Sequence, residues 1–210
     1  LSPNFSQRKN KIKYIILHYT GTNKLSEAIN LFKSPISNVS CHWLISLKGI
    51  LYKVVEEKNV AWHAGVSIWK KEKMLNESSI GIELENKGHG TNYKAFTRKQ
   101  MIVLEKLLEE MVCKYRINKK NILGHSDIAP DRKLDPGELF NWSNLAKKNL
   151  AYWPLIQKSK RKNILFKLGD EGKKIYFIKK KLNKIGYSCS NSSAYDISLK
   201  LIIEAFQRRF

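Results

Sequence analysis

The sequence has few cysteines, few acidic residues and no long apolar run, and each shortage narrows the range of possible proteins. Its three cysteines, Cys41, Cys113 and Cys189, form no C-x-x-C pair, so they indicate no disulfide framework. Apolar runs such as residues 14–17 are far short of the ~20 residues that a membrane helix needs, so we expect no transmembrane segment. The chain begins at Leu1 rather than Met, which leaves a removed signal segment and a trimmed sequence both open.

Acidic residues are scarce relative to basic ones: 18 Asp and Glu stand against 39 Lys and Arg, for a net charge of +21. The positive electrostatic field of such a chain favours binding to polyanions, namely nucleic acid, an acidic membrane surface or an anionic wall polymer. Only 7 of the basic residues are arginines, and the lysines are scattered without an aromatic-interleaved stripe, so we expect no specific nucleic-acid partner. Lys, Asn and Ile have AT-rich codons, so genome composition is an alternative source of part of this charge.

The 210 residues, of which 42% are hydrophobic, suffice for one or two packed domains. Residues 14–17 predict a buried strand that ends at His18, and residues 122–123 predict a strand that runs into His125. Residues 79–85 (SIGIELE) alternate as a half-buried strand does. Thr97 and Gln100 match a capping box before a long amphipathic helix. Further segments predict a helix over 25–32 and a hairpin over 39–46 and 49–55. We therefore predict an α/β (α+β) fold, a mixed central β-sheet flanked by helices.

The two ends differ in character from the middle, which we take as the main domain at 14–156. Residues 1–13 are polar and basic, and we expect a flexible lead-in. Residues 157–163 (QKSKRKN) have the composition of a linker. Beyond them, Ile175, Ile178, Leu182 and Ile185 keep helical spacing up to Gly186, and a second helical stretch covers about 197–206. We predict a small helical domain over 157–210, docked on or tethered to the main domain.

The two strand-end histidines suggest a metal site. A catalytic zinc ion usually has three protein ligands and a water molecule. His18 and His125 each follow a short strand, so a sheet can bring them side by side. Asp135 follows in the loop 124–137 (GHSDIAPDRKLDPG), which Pro130 and Pro136 stiffen and which can curl back toward them. The spacing alone also fits ordinary polar residues at strand ends.

Five motifs are more specific: LHYTGT (17–22), VSCHWLIS (39–46), AWHAGVSIW (61–69), SIGIELEN (79–86) and GHSDIAPDRKLDPG (124–137). On these motifs the sequence resembles the zinc-dependent N-acetylmuramoyl-L-alanine amidases of the AmpD/AmiD type, which are related to phage lysozyme-like amidases and peptidoglycan recognition proteins. The tail is similar to a peptidoglycan-binding helical module at residues 168–169, 182, 186–187, 195–196 and 205–207. The tail and AWHAGVSIW together favour the AmiD branch.

The resemblance assigns roles to residues. It implies one zinc ion bound by His18, His125 and Asp135. It also implies that Glu83 is the acidic catalytic residue and Lys133 the basic one. Without the resemblance, Glu85 is an equal candidate, because it shares a strand face with Glu83.

Other charged and aromatic residues receive predictions too. We expect Trp62 and His63 on the substrate-binding wall, with a packing role for this pair as the alternative. Arg132 is a candidate to hold a carboxylate of the peptide stem. The remaining predictions are a core or ligand-supporting role for His42, an exposed turn for His89, and loop-bracing or water-facing positions for Asp127 and Asp131.

These features predict a zinc amidase that cuts between N-acetylmuramic acid, intact or 1,6-anhydro, and L-alanine of the stem peptide, in cell-wall turnover or recycling. We expect a peptidoglycan or muropeptide substrate, a monomer, and a bacterial cell-envelope or periplasmic location with outer-membrane association open; the cytoplasm is the alternative. The main rival is a non-catalytic peptidoglycan-binding receptor. Two others are a nucleic-acid binder with structural zinc and a zinc peptidase acting elsewhere on the stem.

Overall fold

The structure, a computed structural model, describes residues 2–90, 92–154 and 165–210. Its strands are β1 Phe5–Gln7, β2 Tyr14–Tyr19, β3 Trp43–Ile45, β4 Leu51–Lys53, β5 Asn59–Ala61, β6 Ile68–Trp69, β7 Glu72–Lys73, β8 Ser79–Leu84 and β9 Ile122–Gly124. Its helices are α1 Leu25–Lys33, α2 Arg98–Tyr115, α3 His125–Ile128, α4 Trp142–Lys147, α5 Lys173–Ile185 and α6 Ile197–Arg209. Short 3₁₀ helices lie at Pro35–Ser37, Leu75–Ser78 and Lys119–Asn121.

The central sheet has the order β4-β3-β8-β2-β9 and is parallel except for the β3–β4 pair. Strand β2 lies inside it because Ile15, Ile16 and Leu17 are apolar on both faces, and all three are fully buried. Parallel neighbours place the carboxyl ends of β8, β2 and β9 at one edge of the sheet. The mixed sheet flanked by helices is as predicted.

Local sequence signals place several elements correctly. Helix α2 begins at the predicted capping box: the Thr97 hydroxyl accepts from the Gln100 N–H, and the Gln100 side chain accepts from the Thr97 N–H. Its buried face packs onto the sheet through Leu104, Leu108 and Met111. The predicted hairpin is present as β3 and β4, in shorter strands than expected.

Residues 2–8 form specific hydrogen bonds with later parts of the chain, so the prediction of a flexible lead-in does not hold for them. Strand β1 pairs antiparallel with β5. The Arg8 guanidinium donates to four backbone carbonyls, those of Glu57, Asn59, Glu77 and Ser79. A basic residue can enter the interior here because these carbonyls satisfy its donors, an arrangement that composition does not reveal.

The helices α5 and α6 share a hydrophobic core with the sheet. One cluster combines apolar side chains of both parts, among them Ile16, Leu123, Ile175, Leu182 and Ile202. Helix α5 ends at Gly186 as predicted; a Cβ there would lie 2.3 Å from the Trp69 ring, so only glycine allows this contact. Residues 165–210 therefore pack on the sheet through this shared core, while the predicted linker at 157–163 and the boundary beside it lie outside the described residues.

Candidate metal centre and active-site cleft

Three adjacent strands deliver three site residues to the same edge of the sheet. In the β2–β8 register His18 lies opposite Glu83, and in the β2–β9 register Leu17 lies opposite Gly124, the residue before His125. His18 and His125 are 1% and 3% exposed. The prediction that the sheet brings the two histidines side by side is therefore confirmed.

The loop after β9 turns back and places Asp135 beside them. The N–H of Ser126 donates to the Asp135 carbonyl at 2.9 Å, which closes the loop onto the start of α3. Gly124 has no room for a side chain, since a Cβ would lie 2.7 Å from Pro136 Cδ. The Lys133 N–H donates to the Ala129 carbonyl at 3.0 Å and forms a further turn within the loop. The loop is thus fixed at both ends by backbone contacts.

Three donor atoms converge at this point. His18 Nδ1 lies 3.0 Å from His125 Nδ1 and 3.0 Å from Asp135 Oδ2, and His125 Nδ1 lies 3.1 Å from the same oxygen. Within the described part of the chain, His18, His125 and Asp135 are the group of metal-ligating side chains that meets the distance requirement for one ion, and all three are buried.

The partners of the remote ring nitrogens fix both tautomers. His125 Nε2 faces the Ala64 carbonyl at 3.1 Å; a carbonyl only accepts, so Nε2 carries the proton and Nδ1 keeps its lone pair. The tautomer of His18 depends on two further residues, His63 and Ser79. The Ser79 hydroxyl donates to the Leu75 carbonyl at 2.5 Å, so its oxygen accepts from His63 Nε2 at 3.2 Å. His63 Nδ1 then accepts from His18 Nε2 at 3.0 Å, which leaves the His18 Nδ1 lone pair free.

The charge states of the group suit a divalent cation. Burial, assisted by His125, lowers the pKa of His18 to about 4, so its ring is neutral near pH 7. Burial alone would raise the pKa of Asp135, but His125 and His18 outweigh it and hold that pKa below its usual range. Two imidazole lone pairs and one carboxylate oxygen, with no donor between them, match the donor set of a catalytic zinc site.

The metal group opens into a cleft of about 440 Å³ that is also lined by Glu83 and Lys133. Burial and the nearby Asp135 raise the pKa of Glu83 to about 8, partly offset by Lys133. Glu83 Oε2 is buried and has no hydrogen-bond partner among the described residues, so it is free for a ligand. Glu85 instead accepts from the Leu47 N–H at 2.7 Å, outside the cleft lining, so of the two acids only Glu83 lines the cleft.

The three predicted substrate-binding residues also line the cleft, but two of them have structural partners. His63 contacts His18, as described above, so one of its ring nitrogens supports a candidate ligand. Arg132 donates from Nε to the Val66 carbonyl at 3.1 Å and from Nη2 to the Ala64 and Val66 carbonyls. It therefore braces residues 64–66 in this structure. Trp62 is half-buried in the cleft wall.

Sequence reasoning missed an aromatic cluster at the rim of the cleft. His89, predicted to be an exposed turn residue, is partly buried and stacks on Tyr93 with ring centroids 4.3 Å apart. Its Nδ1 lies 3.0 Å from the Tyr19 hydroxyl, and its Nε2 lies 2.9 Å from Glu138 Oε2. These residues are 70 and 49 positions apart from His89, so no local signal marks the cluster.

The remaining predictions agree with the structure. His42 is fully buried, and its Nδ1 accepts from the Gly81 N–H at 2.9 Å, so it is a satisfied core residue. Asp127 braces the loop through the Gly124 N–H at 2.8 Å, whereas Asp131 is exposed.

The chain is similar in sequence and in fold to known amidases. A family model described as N-acetylmuramoyl-L-alanine amidase matches residues 8–138. The chain is 37% identical to AmiD of Escherichia coli (strain K12), an N-acetylmuramoyl-L-alanine amidase, over 70% of this chain and 57% of AmiD. It is 35% identical to the 1,6-anhydro-N-acetylmuramyl-L-alanine amidase AmpD of Haemophilus influenzae, over 67% of this chain and 85% of AmpD. The solved structure of E. coli AmiD with its substrate anhydro-N-acetylmuramic acid-L-Ala-D-γ-Glu-L-Lys matches with a TM-score of 0.77 at 27% identity, over 99% of this chain and 89% of that one.

Proposed function

The chain belongs to the N-acetylmuramoyl-L-alanine amidase family, and on that premise we propose that it hydrolyses the amide between N-acetylmuramic acid and L-alanine of the peptidoglycan stem. The observation that carries the proposal is the convergence of His18, His125 and Asp135 at the floor of a cleft that also contains Glu83 and Lys133. A pure receptor has no need of this complete set.

We propose zinc as the metal, with His18 Nδ1, His125 Nδ1 and a carboxylate oxygen of Asp135 as its ligands. A zinc ion there would act as a Lewis acid toward the scissile carbonyl and acidify a water molecule. The protein prepares the site by holding both lone pairs in place through the His63 and Ala64 contacts.

Glu83 is the proposed proton carrier. Burial and Asp135 raise the pKa of Glu83 to about 8 in the metal-free chain, so there it keeps a proton near neutral pH; a cation bound beside Asp135 would lower that pKa and leave the carboxylate available as a base. In the reaction it takes a proton from the attacking water and delivers it to the nitrogen of the leaving L-alanine. Its unpartnered Oε2 supplies the acceptor.

Lys133 is the proposed electrostatic stabiliser. Its backbone is fixed by the turn to Ala129, and its side chain lines the cleft. A positive charge beside the carbonyl oxygen stabilises the oxyanion that forms on attack, an effect worth roughly 3–4 kcal/mol in comparable sites. Trp62, His63 and Arg132 would form the wall against which the substrate lies, with Arg132 able to offer Nη1 to a stem-peptide carboxylate.

We infer that the substrate is a muropeptide with intact or 1,6-anhydro muramic acid. The similarity to AmiD, whose solved structure holds an anhydro-muramyl peptide, supports this class. Mass spectrometry of muropeptides incubated with the protein, with and without a zinc chelator, tests the proposal. We expect free stem peptide and peptide-free sugar only without chelator. Uncleaved muropeptide in the presence of bound zinc would contradict catalysis and favour a receptor; cleavage elsewhere in the stem would indicate a peptidase.

We also propose that the protein acts as a monomer in the cell envelope and that α5 and α6 help to hold the cell wall. The sequence resemblance of the tail to wall-binding modules supports the last point, and exposed Phe177 on α5 offers a contact for sugar rings. No helix among the described residues is long and apolar enough to span a membrane. Co-sedimentation with insoluble peptidoglycan checks the wall-binding role: Phe177→Ala should weaken binding, and an unchanged bound fraction would contradict it.

A further inference from the structure

The carboxylate of Asp127 is a buried charge next to the candidate metal centre, and the C-terminal segment supplies two of its three partners. Asp127 is 2% exposed and lies on α3, the single turn that begins with the candidate ligand His125. Its Oδ1 accepts from the Tyr187 hydroxyl at 2.6 Å. Its Oδ2 accepts from the Gly124 N–H at 2.8 Å and from Arg209 Nη1.

Arg209 is itself held rigidly. It is 6% exposed, donates from Nη2 to the Ile122 carbonyl at 3.0 Å, and lies with its guanidinium 4.0 Å from the centre of the Trp142 ring. It therefore contacts the strand that precedes His125 as well as the helix that contains it. A buried ion pair with this many fixed contacts has one favourable geometry.

We propose that Arg209 and Tyr187 are positioning residues for the metal centre: by holding Asp127 they fix the start of α3, and with it the direction of the His125 lone pair. This inference rests on the proposed function. Two of the three contacts to Asp127 come from the C-terminal helical segment, so that segment completes the ligand geometry in addition to any contact with the cell wall. Metal sites are sensitive to such support, because outer contacts commonly change metal affinity 10–100-fold.

Two variants test the proposal. Tyr187→Phe removes only the hydroxyl that reaches Asp127 and keeps the ring packed on Trp69, so it should fold. Arg209→Met removes the charge. The zinc dissociation constant, measured by chelator competition well below the unfolding temperature, should rise about tenfold in each, with a fall in kcat and little change in KM. In the double variant Asp127→Asn/Arg209→Met no charge is left unpaired, so stability should recover more than zinc affinity does.

Lys179→Met is the matched control. Lys179 is a second buried cation of the same segment, 1% exposed and 2.7 Å from Asp196, and it lies outside the Asp127 contacts. We expect Lys179→Met to lower stability and to leave zinc affinity unchanged. Equal zinc affinities in wild type, Tyr187→Phe and Lys179→Met would overturn the inference and leave Tyr187 with a packing role alone. Because zinc affinity is measured without muropeptide, a wild type that binds zinc but cleaves nothing would refute the proposed function separately.

Discussion

Replacement of Gly81 by alanine tests how the candidate metal centre is built. Gly81 lies on β8 under the ring of His63, and a Cβ at this position would be 2.4 Å from His63 Cγ and 2.7 Å from His63 Nδ1. The strand cannot retreat easily, since the Gly81 N–H donates to buried His42 at 2.9 Å. Therefore the His63 ring has to move.

The required shift is about 1 Å, because ordinary carbon contacts begin near 3.4 Å. That displacement breaks the 3.0 Å contact between His63 Nδ1 and His18 Nε2, so the His18 tautomer is no longer fixed. Overpacking of this kind costs about 1–3 kcal/mol of stability. Loss of a hydrogen bond behind a metal ligand lowers affinity about 10–100-fold. We expect both effects in Gly81→Ala.

Urea unfolding of the metal-free protein and chelator competition for zinc measure the two effects separately. Gly90→Ala is the control, because a Cβ on Gly90 meets no described atom within 4 Å. His63→Ala in the Gly81→Ala background should relieve the clash and restore stability while zinc binding stays weak. Wild-type zinc affinity in Gly81→Ala would refute the argument that His63 sets the orientation of His18.

Three further predictions follow from other contacts. The pKa of Glu83 is about 8 in the folded chain, against an ordinary value of 4.5, so between these pH values the metal-free folded chain keeps a proton that the unfolded chain releases. The free energy of unfolding should therefore fall by up to about 1.4 kcal/mol for each unit by which the pH rises from 4.5 to 8. Glu83→Gln should remove this fall and abolish cleavage, and identical pH-stability curves for the variant and the wild type would contradict the assignment. Zinc at 100 times its dissociation constant should stabilise the wild type by about 2.7 kcal/mol in thermal unfolding, and Asp135→Ala should lose most of this gain; an equal gain in both would exclude Asp135 as a ligand. Arg8→Met should lower the free energy of unfolding, measured in urea, by about 2–4 kcal/mol because several carbonyls lose their hydrogen-bond donor. Lys9→Met, at an exposed position, should change it by less than about 0.5 kcal/mol. Similar effects of the two variants would show that the N-terminal contacts contribute little.

Local sequence patterns were sufficient for the parts of the site that depend on strands. His18 and His125 each follow an apolar run, and parallel strands in one sheet end at one edge, so their proximity could be predicted from periodicity. The loop sequence allowed Asp135 to reach the two histidines but did not require it. The choice of Glu83 over Glu85 needed the family resemblance. The structure separates the two acids because one lines the cleft and the other caps a backbone N–H.

The contacts that sequence reasoning missed join residues far apart in the chain. Arg8 donates to carbonyls 49 to 71 positions away, whereas its positive charge had favoured the prediction of an exposed segment. His89 contacts the Tyr19 hydroxyl and Glu138, which are 70 and 49 positions away. The contact of His63 with His18 spans 45 residues, so a predicted wall residue also supports a candidate metal ligand.

The pairing of Asp127 with Arg209 also sets an order of events during protein synthesis. The two residues are 82 positions apart, which corresponds to about 4–16 s of ribosomal elongation. Throughout that interval the carboxylate beside His125 lacks its cation, so early closure of the loop would enclose a bare charge. We therefore expect the nascent sheet to keep this corner open and hydrated until α6 emerges, so that the metal centre becomes complete late in synthesis.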